Sequence, residues 1–82
     1  MTEEKLKKLK IWYFDAVKSD LILNYGLTEK SALQTIKKYG LQKMLDEYPD
    51  VQLICTIEDT TAEMYQMGLV AKMDGVEEDE IN

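Results

Sequence analysis

A chain of 82 residues carries one core and no more, and at this size it buries roughly 60% of its unfolded surface. With 45% apolar and 32% charged residues it is a folded domain and not a disordered polymer, and its apolar runs, none longer than four, exclude a membrane span. The net charge of −6 is uneven: residues 1 to 10 carry +2, residues 11 to 73 carry −3, and residues 74 to 82 carry −5.

The first helix is expected from about Thr2 to Asn24, with Thr2, Glu3 and Glu4 at its positive end. Leu6, Leu9, Tyr13, Ala16, Val17 and Leu21 recur at helical spacing and form its inward stripe. The four consecutive residues Ile11, Trp12, Tyr13 and Phe14 create a difficulty, because successive side chains on a helix turn by about 100° and point all the way round the axis. Either a central first helix is touched on two sides, which buries three of them and leaves Trp12 over, or Trp12 stands in an exposed patch. The patch would combine Ile11 and Trp12 with Met64 and Met67, since Trp anchors interfaces and Met adapts to irregular surfaces. Asn24-Tyr25-Gly26 stops the helix.

The second helix has the clearest signals. Leu27 and Ala32 form a hydrophobic staple around an N-cap at Thr28, Lys37 and Lys38 sit in the last turn, and Gly40 with Leu41 provides the stop. Ala32, Leu33, Ile36 and Tyr39 make its buried face. A third helix follows from Leu41 to Tyr48, ended by Pro49-Asp50. In "VQLICTI" the residues Val51, Leu53, Cys55 and Ile57 alternate with Gln52, Ile54 and Thr56, so residues 51 to 55 read as extended, either a connector over the helices or a strand that pairs with another molecule. The last helix starts at Thr56, with Asp59 completing a variant capping box, and runs to about Gly68. Residues 74 to 82, "DGVEEDEIN", have no apolar period and read as a disordered acidic tail beside a single helical domain over residues 1 to 73.

The residue inventory argues against catalysis. Without a histidine there is no Cys-His or Ser-His pair and no histidine metal site, and the single Cys55 reads as a small core residue. The close carboxylates, Asp46 with Glu47, Glu58 with Asp59 and Asp59 with Glu63, are explained by helix surfaces and helix starts. Asp74-Gly75 lacks the ligand spacing of a calcium loop, so neither metal nor cofactor is expected. Ser31 to Glu47 has the outline of a helix-turn-helix, but its second helix offers only Lys43 against Asp46 and Glu47, and the chain has no arginine for bidentate contacts to phosphate or guanine. Nucleic acid is therefore not an expected partner, and neither is a membrane or a small-molecule substrate.

Residues 11 to 67, through Leu27, Thr28, Lys30, Ile36, Lys37, Lys38, Tyr39, Leu45, Tyr48 and Glu58, resemble a group of small uncharacterised bacterial and phage-associated helical proteins. The resemblance implies a compact, mostly helical domain without enzymatic activity. The expected fold is all-α, a bundle of three to four helices with one extended segment at 51 to 55. Its core is drawn from Leu6, Leu9, Tyr13, Val17, Leu21, Leu33, Ile36, Leu45, Leu53 and Met64. The expected role is a cytoplasmic interaction domain, an adaptor, regulator or antitoxin-like inhibitor that binds another protein or a second copy of itself. The alternative is an acidic decoy that occupies a nucleic-acid-binding surface of another protein.

Overall fold

The computed structural model describes residues 2 to 70; the acidic stretch over residues 74 to 82, and with it the boundary expected at residue 73, lies outside the described residues. Five helices follow one another: α1 (Glu3–Tyr25), α2 (Glu29–Tyr39), α3 (Leu41–Glu47), α4 (Pro49–Gln52) and α5 (Ile57–Gln66). Among the described residues there is no strand, and the fold is all-α.

Local chemistry sets the helix ends. The side chains of Thr2, Thr28 and Thr56 each accept a hydrogen bond from a backbone N–H three residues on, at 3.1, 3.1 and 3.0 Å, and so satisfy one of the free donors of a first turn. Gly26 and Gly40 close α1 and α2 in the left-handed conformation, at φ 72° and 84°, which a side chain would oppose. After Gly40 the chain starts α3 at once, and Leu41 turns back into the core beside Ile36.

α1 is the central element, packed by α5, α2 and α3. α5 runs in the same direction as α1, since Thr60 meets Tyr13, Thr61 meets Asp20, and the Tyr65 ring lies 5.8 Å from that of Tyr25. α2 returns against α1, tied near its start by a Lys18–Glu29 ion pair at 3.3 Å. The core holds Tyr13, Val17 and Leu21 from α1, Leu27, Ala32 and Ile36 from the α2 region, Leu41 and Leu45 from α3, and Met64 and Val70 from the end of the described chain. Leu6, Leu9 and Leu53 are only half-buried.

Three expectations are corrected here. Residues 51 to 55 are not extended: Pro49 opens a helical turn instead of merely ending α3, and residues 53 to 55 form the turn that leads to α5. Pro is suited to a first helical position because the N–H it lacks would have had no partner there. Leu33 is 39% exposed and not core; the inward position next to Ile36 is taken by Thr35, whose hydroxyl donates to the Ser31 carbonyl at 2.9 Å and lies 3.2 Å from the Leu69 carbonyl. Cys55 is an exposed free thiol, because the turn after α4 directs it outward.

Candidate interaction surface

The inward face of α1 is complete without Trp12. Tyr13, Val17 and Leu21 are fully enclosed, and the hydroxyl of Tyr13 anchors a buried polar cluster between α1, α4 and α5. Tyr13 Oη donates to the Cys55 carbonyl at 3.0 Å and accepts from the Gln52 amide at 3.0 Å and from Thr60 Oγ1 at 2.6 Å. Gln52 Nε2 also lies 3.1 Å from Thr60 Oγ1, and because the two oxygens are 2.6 Å apart one amide proton serves both, so each of the three side chains has a partner in the cluster. That matters because a buried polar group without a partner would cost about 1–3 kcal/mol. Gln52 is 2% exposed and holds the short α4 against α1.

Away from that inward face α1 leaves three large apolar side chains in the open. Trp12 is 59% exposed, Ile11 56% and Leu23 79%. Trp12 meets the Tyr13 ring edge-on at 6.4 Å, so its base is seated while most of the indole faces outward. Ile11, about 100° away around the helix, borders a cleft of about 170 Å³ with Lys10, Phe14, Asp15 and Gln42. Through Phe14 and Gln42 this cleft continues into one of about 380 Å³ beside Leu33, Lys37 and Lys43.

The four residues expected to share a patch are not brought together. Met64 is fully enclosed and is a core residue, because its position on α5 faces α1 together with Thr60 and Thr61. Met67 is 57% exposed but follows the end of α5, next to the Tyr25 end of α1. Thirteen residues of helix separate Trp12 from Tyr25, about 20 Å along the axis. Ile11 and Trp12 remain as neighbours.

Leu23 belongs to the exposed face and was not singled out from the sequence. The signal was present: Trp12, Ala16, Ser19 and Leu23 follow one another at intervals of four, three and four, which puts them on one line of the helix. A second exposed apolar region lies at the α4 corner, where Leu6, Pro49, Asp50, Leu53 and Ile54 border a cleft of about 510 Å³.

The charged groups that pair do so for packing. Lys10 reaches Asp46 at 3.8 Å, and Tyr39 donates to the Glu63 carboxylate at 2.8 Å. Burial, with the acceptor and negative charge of Glu63 beside it, raises the pKa of the Tyr39 hydroxyl above the ordinary tyrosine value of 10.0. Among the described residues no group of three or more His, Cys, Asp or Glu is placed to hold a metal ion, and no helix is long and apolar enough to cross a membrane. No protein-family model, curated protein or solved structure matches the chain.

Proposed function

We propose that this chain is a non-enzymatic protein-interaction domain, an adaptor, regulator or antitoxin-like inhibitor, that works through the outer face of α1 around Trp12. The observation that carries the reading is the exposure of Trp12 on a helix whose inward stripe is already filled. A large indole left in water by a finished core is the kind of anchor that dominates protein interfaces, and Leu23 on the same line extends it. The partner is another protein or a second copy of the chain, met in a cytoplasm of bacterial or phage-associated origin; nucleic acid and small-molecule substrates have no part in this reading.

The test compares the wild-type chain with Trp12→Lys in capture of binding partners from the native host, with circular dichroism as the control for folding. The reading expects an intact helical spectrum and loss of the captured partner. Equal capture by both chains would refute it. Deleting residues 74 to 82 separates the alternative: an acidic decoy loses its partner with those residues, whereas an interface on α1 keeps it.

A further inference from the structure

The outer line of α1 has an order of sizes that fits its own reverse. From Leu9 onward it reads Leu9, Trp12, Ala16, Ser19, Leu23 and then Gly26 at the helix end, with spacings that alternate between three and four; Leu9 and Ala16, which the periodicity assigns to the inward stripe, are half-buried at the edge of this line. Two such helices laid antiparallel about a two-fold axis between residues 17 and 18 set Trp12 opposite Leu23 of the second copy, Ala16 opposite its Ser19, and Leu9 opposite its Gly26. The small pair at the centre lets the helix axes approach, and each large side chain meets an exposed apolar or a small one. A parallel arrangement would stack Trp12 on Trp12 and leave the two leucines apart from them.

Charge favours the same arrangement. The last turn of α1, where the helix carries its negative end, has no basic residue, while Lys8 and Lys5 stand one and two turns before Trp12 on the open side. Antiparallel pairing brings Lys8 beside the second copy's last turn and supplies the missing cation. Resting on the proposed role of the α1 face, we infer that its occupant is a second copy of this chain, docked α1 against α1 in antiparallel register with Trp12 over Leu23. The strip spans seventeen residue steps, about 26 Å by one helix width of about 10 Å, which is small beside a standard interface of about 800 Å² a side. The dimer is accordingly weak and reversible.

The test uses the full chain carrying Cys55→Ser, so that the exposed native thiol forms no link. Sedimentation equilibrium up to about 500 µM is expected to show a monomer–dimer equilibrium that Ser19→Lys and Trp12→Lys each weaken by roughly thirtyfold or more. Ser19 is exposed and its replacement leaves the core untouched, so it serves even where a change at Trp12 disturbs folding. In the same background, Ser19→Cys should form an interchain disulfide under mild oxidation and Lys5→Cys should not, because antiparallel register holds the two Lys5 positions about 37 Å apart. Linking at both positions means parallel packing and overturns the inference. A chain that stays monomeric throughout overturns it as well, yet leaves the α1 face standing if Trp12→Lys still loses a captured partner.

Discussion

Replacing Tyr13 by Phe removes one oxygen and keeps the ring that fills the centre of the core. Three hydrogen bonds end on that oxygen: one donated to the Cys55 carbonyl and two received, from Gln52 and Thr60. Each contributes about 1 kcal/mol net. The Cys55 carbonyl stands at an exposed turn where water replaces its donor, whereas the hydroxyl proton of the buried Thr60 loses its acceptor. The expected loss is therefore about 2–3 kcal/mol, a large share of the roughly 5–15 kcal/mol that holds a domain together. For a chain of this size it corresponds to a fall in Tm of roughly 10–20 °C. Urea unfolding followed by circular dichroism should show a lower midpoint with an unchanged slope. Gln52→Leu removes the other half of the cluster, and the double variant should lose less than the sum of the two by at least about 0.5 kcal/mol. A loss under about 0.5 kcal/mol for Tyr13→Phe, with additive single variants, would refute the role given to this cluster.

Gly40→Ala should destabilise by about 1 kcal/mol in chemical denaturation, since the added methyl meets no atom within 4 Å and only the left-handed backbone at φ +84° opposes it. Tyr39 has a raised folded-state pKa, so its contribution is complete below the unfolded value of about 10 and falls as pH rises from there toward the folded value. Denaturation across the alkaline range should show that decline, Tyr39→Phe should lessen it, and the same variant should remove the most alkaline step from the tyrosinate titration. The exposed thiol of Cys55 should react fully with a thiol reagent in the folded protein, and Cys55→Ser should change stability by less than about 0.5 kcal/mol.

Most helix ends were legible because their chemistry is local. A threonine before an apolar period and a glycine after it act within one turn, and Thr28 with Gly40 marks both ends of α2. What escaped were the positions where a polar residue faces inward. The alternation in "VQLICTI" assumes that apolar side chains choose the core, but Gln52 takes that place because Tyr13 and Thr60, far away in sequence, give its amide partners. Once Gln52 faces in, α4 is helical and Val51 and Cys55 are left outside. Thr35 displaces Leu33 from the inward face of α2 in the same way, held by the Leu69 carbonyl 34 residues later. The exposed Trp12 could be anticipated by counting directions around one helix, whereas Met64 and Met67 could not be sorted without knowing which side of α5 meets α1.

Trp12 is the only tryptophan, so its fluorescence reports on the α1 face alone. In the dilute folded chain the indole should emit toward the red and be quenched by acrylamide nearly as readily as a free indole. The emission should move to the blue, with loss of quenching, only when a second copy or another partner is bound. Trp12→Lys should meanwhile keep the unfolding free energy within about 0.5 kcal/mol of the wild type, as a surface position does. Blue, protected emission from the dilute monomer, together with a loss of about 3 kcal/mol or more in Trp12→Lys, would place the indole in the core and contradict an interaction surface on α1.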